Sequence, residues 1–177
     1  MKFLGSILIF SGILLLAFTS LLIYQRQSPE RLSFTNIEKL KSQSVKKADN
    51  PNRIIIEKIG VDLPIIASEI RDNNWPTSST GISYLTTSSA PGSVGNSVLY
   101  GHNWQSILGN LYKINPGDEI KIRNADDQIL RFVVTTTQVV DKTQSSVLNN
   151  TEDSRITLYT CTGFLDQKRL VVTAHLI

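Results

Sequence analysis

The chain has 177 residues, which leaves room for one membrane segment and one globular domain of common size. Its formal net charge of +3 comes from 18 basic and 15 acidic residues. They are scattered rather than clustered with aromatic residues, which argues against a nucleic-acid-binding surface. The single cysteine, Cys161, excludes an intrachain disulfide and a metal site built from several cysteines.

The N-terminal segment of the chain is apolar. From Phe3 to Tyr24 it contains no charged residue, and a helix that rises about 1.5 Å per residue would cross a hydrocarbon core of roughly 30 Å over this length. A cleaved signal peptide is the alternative. Its apolar core spans only about 7–15 residues, however, and Ala17-Phe18-Thr19 makes a poor cleavage site. We therefore predict that residues 1–25 form a retained transmembrane anchor.

Residues 26–52 are polar and charged, and we predict that they form a linker between the membrane and a folded domain. Within this linker, Phe34, Ile37 and Leu40 recur at three-residue spacing, which favours a short helix over residues 33–41. The basic residues that follow the apolar run outnumber those before it, a pattern that by itself favours a domain held inside the cell. Long domains often translocate against such a pattern, so the orientation has to be inferred from the chemistry of the domain.

From residue 53 onward, short β-type runs alternate with groups of Gly, Pro, Asn and Ser. Strands are predicted at 53–59, 61–66, 97–102, 119–123, 129–141, 155–161 and 169–176, with Pro64 interrupting the second. Between them we expect loops, turns or short helices at 75–80, 88–95, 106–114, 115–118 and 144–153. Many short strands with little helix predict an all-β barrel or sandwich over residues 53–177.

Cys161 ends the run ITLYTC. Successive side chains of a strand point to opposite faces, so Cys161 faces away from Ile156 and Leu158. The residues TGFLDQK then lead into RLVVTAHL, and an antiparallel hairpin of the two strands would place Arg169 on the same outer face as Cys161. A nearby guanidinium favours the thiolate and can stabilise an oxyanion. The alternative is a buried structural cysteine beside a surface arginine.

The chain has two histidines, and one of them lies where a catalytic group is expected. His102 follows the run SVLYG, where a strand opens into a loop that a substrate can reach. A thiol nucleophile needs a group that passes a proton to a leaving amine near neutral pH, and histidine is the usual one. His175 lies far along its strand from Arg169, and we interpret it as structural.

Four segments of the chain together resemble the sortase family. The run TLYTC, followed by Arg169 at the head of RLVVTA, resembles the TLxTC…R signature of sortases. GNSVLYGHN resembles the family's segment around its essential histidine. RIIIEKIGVDLPI resembles the first two family strands, and LYKINPGDEIKI resembles the segment after the histidine. The four segments occur in the family's order and span residues 53–176.

The resemblance implies a closed eight-stranded β-barrel with short helices in its loops and an active site in an outer groove. Cys161 would attack a backbone carbonyl in the sorting motif of a secreted protein and form a thioester acyl-enzyme. His102 would protonate the leaving amine and then deprotonate an incoming amine of the cell envelope or of a pilin subunit. Arg169 would hold the carbonyl oxygen, and Thr160 matches a family position near the substrate. The domain would lie outside the cell membrane and need no cofactor.

The resemblance leaves the sortase class and the reaction partners open. The loops before and after Cys161 lack long insertions, so neither the sorting motif nor the acceptor is assigned. A peptidase that transfers the acyl group to water would use the same residues, and a non-catalytic binding module would have an unreactive Cys161. No part of the linker is identified as an inhibitory lid, and Trp75 either lines the groove or packs. The acidic residues at 118–119 and 126–127 are interpreted as solvated turn residues rather than a calcium site.

Overall fold

The computed structural model describes residues 2–27, 29–35, 51–70 and 75–177. The chain begins with one long helix, α1 (Lys2–Gln27). Its stretch Gly5–Tyr24 is long and apolar enough to cross a membrane, a property that signal sequences share. The division into an anchor over 1–25, a linker over 26–52 and a domain over 53–177 stays a prediction. Of the helix predicted over 33–41, residues 33–35 are not helical and the rest lies outside the described residues.

In the described part of the chain, eight strands close into a barrel, as predicted. Their bounds are β1 Pro51–Ile56, β2 Val61–Ser68, β3 Ile82–Leu85, β4 Gly95–Tyr100, β5 Glu119–Asn124, β6 Ile129–Asp141, β7 Ser154–Thr162 and β8 Lys168–Leu176. Around the barrel the order is β1-β2-β3-β4-β7-β8-β6-β5. The pairs β2–β3 and β4–β7 are parallel, and the other neighbouring pairs are antiparallel. Short 3₁₀ helices lie at Pro29–Leu32, Glu57–Ile59, Leu111–Lys113, Ser145–Leu148 and Phe164–Asp166.

The strands differ from the sequence-based expectations in four features. β4 begins at Gly95 and ends at Tyr100, two residues earlier at each end than the predicted strand 97–102, so His102 lies in the loop that follows it. β1 ends at Ile56 because a 3₁₀ turn follows, which Gly60 closes with a left-handed φ of 67°. Pro64 does not interrupt β2, since it lies where β2 stops pairing with β1 and begins pairing with β3. The missing N–H of Pro64 therefore costs the sheet few hydrogen bonds. The short strand β3 was not predicted at all.

The barrel interior is filled by apolar side chains from every strand. The alternation predicted for β7 and β8 is confirmed, because Ile156, Leu158, Val172 and Ala174 all point inward and are fully buried. Most other members are branched aliphatic residues, including Ile54, Ile56, Ile82, Leu99, Ile120 and Ile122. Burying each such side chain contributes about 1.5–3 kcal/mol, so this interior carries most of the stability of the barrel.

A second apolar cluster lies on the outside of the barrel, over β3, β4, β6, β7 and β8. We call it the outer-face cluster; its members are Leu32, Phe34, Trp75, Leu85, Val98, Tyr100, Val140, Leu148, Tyr159, Cys161 and Val171. Two of them, Leu32 and Phe34, precede the barrel in the sequence. The outer face that carries Cys161 is therefore covered by the chain's own N-terminal segment.

Candidate active site

Cys161 and Arg169 lie directly opposite each other on β7 and β8. The predicted hairpin thus brings the thiol and the guanidinium to one place on the outer face. Cys161 is 5% exposed and Arg169 is 1% exposed. Burial raises the pKa of the Cys161 thiol to about 12, while the positive charge of Arg169 acts in the opposite direction. In this covered state the sulfur is a neutral thiol.

His102 reaches the same end of the barrel through the parallel pairing of β4 and β7. Tyr100 is paired with Tyr159. The two strands therefore run on side by side, one to His102 and the other to Cys161. The Thr160 hydroxyl donates to the Gly101 carbonyl over 2.7 Å and holds the two strand ends together. The sequence reasoning named Cys161, Arg169, His102 and Thr160 separately, and the structure places all four at this end.

Gly101 allows the chain to turn out of β4 toward His102. A Cβ at this position would lie 2.9 Å from a side-chain carbon of Ile107 and 3.1 Å from one of Ile82. Any larger residue would push the loop away from the barrel. The glycine therefore sets the position of the histidine that follows it.

The His102 ring is held between an aromatic ring and a hydroxyl. It stacks on Trp104 with ring centroids 4.3 Å apart and an interplanar angle of 6°. Its Nε2 lies 3.1 Å from Oγ1 of Thr77. Burial lowers the pKa of His102, and the negative charge of Asp166 partly offsets this effect. The imidazole is therefore neutral at neutral pH and able to accept a proton.

Residues 31–35, which we call the covering segment, lie across this site. Three consecutive carbonyls accept hydrogen bonds from the outer face: Arg31 O from Cys161 Sγ at 2.8 Å, Leu32 O from the Tyr159 hydroxyl at 3.2 Å, and Ser33 O from Arg169 Nη2 at 2.6 Å. A peptide that presents a carbonyl to Cys161 has to occupy the same space. A substrate must therefore displace the covering segment.

Side chains of the covering segment fix it to the barrel. Phe34 packs edge-on against Tyr159 with ring centroids 5.1 Å apart, and the Arg169 guanidinium lies 5.7 Å from the Phe34 ring centre. Leu32 is also fully buried. Trp75 belongs to the outer-face cluster and is fully buried, so it packs under the covering segment while that segment is docked.

The sequence analysis missed the covering segment. Its signal is the alternation in Leu32-Ser33-Phe34, which fits an extended strand-like peptide with two apolar anchors. The three-residue spacing from Phe34 to Leu40 competed with it and favoured a helix. The sequence analysis identified no lid in the linker, whereas residues 31–35 lie across the site in the structure.

The sequence analysis also did not identify Asp166. Its Oδ1 accepts from Asn103 Nδ2 at 3.0 Å, its Oδ2 pairs with Arg31 Nη1 at 3.0 Å, and its main-chain oxygen accepts from Arg169 Nη1 at 2.8 Å. Leu165 and Asp166 have φ values of 51° and 56°, a left-handed conformation that costs about 1–2 kcal/mol for each non-glycine residue. Such strain persists only where the surroundings hold it, as it does at many functional sites.

A cavity of about 180 Å³ opens beside Cys161 between the loop after His102 and the β7–β8 loop. Its walls include Asn103, Tyr112, Thr160, Gly163 and Asp166. Cys161 also lines this cavity, so Cys161 and Asp166 both contribute to its walls.

His175 belongs to a different cluster on the barrel surface. It lies opposite Arg155 in the β7–β8 ladder, with Nε2 3.0 Å from Asp153 Oδ2 and Nδ1 3.0 Å from Thr135 Oγ1.

Asp118, one of the acids interpreted as a turn residue, accepts from the Asn115 N–H at 2.8 Å. Within the described ranges, no group of three or more His, Cys, Asp or Glu residues could hold a metal ion.

Comparison with known proteins agrees with the fold. A family model of the sortase domain matches residues 54–177. The chain is similar to Sortase A of Listeria monocytogenes, with 37% identity over 70 residues, a match that covers 38% of the chain and 31% of that protein. Sortase C1 from Streptococcus suis has a similar structure, with a TM-score of 0.62, 28% identity and coverage of 73% of each chain. A Sortase D5 transpeptidase from Clostridium perfringens has a TM-score of 0.62 and 27% identity over 84% of this chain and 91% of its own.

Proposed function

Because the chain belongs to the sortase family, whose members are cysteine transpeptidases, we propose that it cleaves a sorting motif in secreted proteins and transfers the acyl part to an amine of the cell envelope or of a pilin subunit. The observation that carries this proposal is the Cys161–Arg169 pair beneath three consecutive peptide carbonyls, with His102 at the same end of the barrel. In the proposed arrangement, α1 spans the membrane and the barrel lies outside the cell.

The first half-reaction begins when the covering segment leaves. Solvent then reaches Cys161, and the burial that raises its pKa is lost while the positive charge of Arg169 remains. The thiol passes its proton to neutral His102, and the resulting thiolate attacks the carbonyl carbon of the sorting motif. Arg169, whose Nε has no partner among the described residues, stabilises the developing oxyanion. His102 returns the proton to the leaving amine as the C–N bond breaks, which leaves a thioester on Cys161.

The second half-reaction runs in the opposite sense. An incoming primary amine loses a proton to His102 and attacks the thioester carbonyl, forming a new C–N bond. The C–S bond breaks, and Cys161 departs as a thiolate that recovers the proton from His102. Thr160 contributes its main chain to the substrate site, since its hydroxyl is already committed to the Gly101 carbonyl.

The test uses the full-length chain in detergent and a library of LPxTG-like fluorogenic peptides, with and without an amine acceptor. Mass spectrometry follows the products for the wild type and for Cys161→Ala, His102→Ala and Arg169→Ala. His175→Ala serves as the matched control, because it removes an imidazole outside the site. We expect an acyl adduct on Cys161 and an amine-dependent product in the wild type and the control alone.

The other outcomes separate the alternatives. Cleavage that never yields an amine product would indicate a peptidase that uses water. A Cys161 that forms no adduct and resists a small thiol reagent even after Leu32 and Phe34 are replaced by Ala would overturn the catalytic proposal. A binding module would then be the better interpretation.

A further inference from the structure

The Arg31–Asp166 ion pair is largely shielded from solvent. The two side chains are 18% and 13% exposed, and their charged atoms lie 3.0 Å apart. The second oxygen of Asp166 is already used by Asn103 at 3.0 Å. A partly buried carboxylate is stabilised when each of its oxygens has a cation or a hydrogen-bond donor beside it. Arg31 supplies that cation in the covered state.

Arg31 cannot keep its present position when the enzyme acts. Its main-chain carbonyl accepts from the Cys161 thiol at 2.8 Å, in the space where a reacting carbonyl has to lie. When the covering segment leaves, its guanidinium moves with it, and Oδ2 of Asp166 loses its cation. The carboxylate itself stays, because Asn103 holds it and the Arg169 guanidinium holds its main-chain oxygen.

A space that a small cation can enter lies beside Asp166. The cavity of about 180 Å³ has both Cys161 and Asp166 in its walls, together with Asn103 and Tyr112. This volume suits the end of a lysine side chain or a peptide N-terminus. A group bound there lies within reach of the thioester on Cys161.

The proposed second half-reaction consumes a primary amine, and primary amines are cations at neutral pH. We propose that Asp166 binds the ammonium group of the acceptor, and that Arg31 occupies this subsite in the resting enzyme. This inference rests on the proposed transfer reaction. The bound ammonium first releases one proton to solvent through His102. The free amine then attacks the thioester carbonyl, the C–S bond to Cys161 breaks, and the second amine proton passes through His102 to the departing thiolate. Asp166 is thus a specificity-determining residue for a cationic acceptor.

The first test measures how the acyl-enzyme partitions between amine transfer and hydrolysis. The full-length chain in detergent receives a donor peptide and either triglycine, whose amine is mostly protonated, or hydroxylamine, which is uncharged at neutral pH. Asp166→Asn keeps an oxygen that can accept from Asn103 and removes the charge. Asp126→Asn makes the same change in an exposed turn and serves as the control.

We expect Asp166→Asn to lower the transfer-to-hydrolysis ratio for triglycine about tenfold, a factor that corresponds to roughly 1.4 kcal/mol. The ratio for hydroxylamine should change far less, and Asp126→Asn should match the wild type for both amines. Arg31→Gln should leave the triglycine ratio at or above its wild-type value, because it frees Asp166. An equal loss for both amines, or no loss with triglycine, would overturn the proposal.

The second test needs no donor peptide. It compares the rates at which Cys161 reacts with a cationic trimethylammonium-ethyl methanethiosulfonate and with its anionic sulfonatoethyl counterpart. In the Arg31→Gln background, adding Asp166→Asn should lower the cation-to-anion rate ratio by about tenfold. An unchanged ratio would contradict a cation subsite at Asp166. A lowered ratio in a protein that forms no acyl-enzyme would keep the subsite and refute the transfer reaction.

Discussion

The barrel interior and the outer-face cluster are both apolar and both buried, but they are built differently. Side chains of the interior come from strands that are hydrogen-bonded to one another, so the barrel cannot form without burying them. The outer-face cluster is closed by Leu32 and Phe34, which belong to a segment outside the barrel. Burial of the first kind ends only with unfolding, whereas burial of the second kind can end by local opening. Cys161 belongs to the second region.

The largest expected effect on stability comes from a substitution that leaves a cavity in the barrel interior. Leu158→Ala should lower the free energy of unfolding by about 2–5 kcal/mol, because it leaves a cavity among fully buried neighbours. Urea unfolding in detergent, followed by tryptophan fluorescence, measures the change. Val139→Ala on β6, at a site 56% exposed, should alter stability by less than about 0.5 kcal/mol. Equal effects of the two variants would mean that the interior does not carry the stability.

Phe34→Ala should weaken the docking of the covering segment by about 1.5–3 kcal/mol while leaving the barrel folded. The open population would then rise by roughly 10- to 100-fold. Alkylation of Cys161 by iodoacetamide should accelerate by a similar factor, since the thiol becomes exposed and its pKa falls. Val94→Ala, at a position 68% exposed in the loop before β4, is the control. An unchanged alkylation rate in Phe34→Ala would show that the segment does not limit access to Cys161.

The buried thiol also predicts a dependence of stability on pH. The unfolded thiol ionises near its ordinary pKa of 9.0, whereas burial raises the pKa in the folded chain to about 12. Between these values the unfolded state loses a proton that the folded state keeps, so the free energy of unfolding falls as the pH rises. At about pH 10 the loss amounts to ~1.4 kcal/mol. The difference in stability between the wild type and Cys161→Ala should shift by this amount between neutral pH and about pH 10. A constant difference would refute the raised pKa.

The smallest effect is expected for Thr160, whose hydroxyl joins β7 to the residue that follows β4. Thr160→Val removes the 2.7 Å hydrogen bond to the Gly101 carbonyl and should cost about 1 kcal/mol. Because this bond holds the strand end that carries His102, we expect the rate of acyl-enzyme formation to fall about tenfold. Thr157→Val is the matched control: it removes a buried 2.8 Å contact to Asn96 away from the site. If both variants lost activity equally, Thr160 would have no special role in positioning His102.

Several features followed from local sequence alone. The alternation in ITLYTC and RLVVTAHL determined which side chains of β7 and β8 face inward, because the two-residue period of a strand is a property of the backbone. A loop of a few residues between two such runs favours an antiparallel hairpin, and this sufficed to pair Cys161 with Arg169. The N-terminal helix likewise followed from one uninterrupted apolar run.

The tertiary structure decided what covers Cys161 and what lies beside it. The hydrogen bonds of Cys161, Tyr159 and Arg169 to the covering segment join residues 127 to 136 positions apart. His102 lies at the same end of the barrel as Cys161 only because β4 and β7 pair in parallel, and Asp166 contacts Arg31 only because the segment folds back. Each of these contacts depends on how distant pieces of chain pack together. Local composition and periodicity describe only neighbours along the chain, so they determined the faces of the strands and left the covered state of the thiol to the fold.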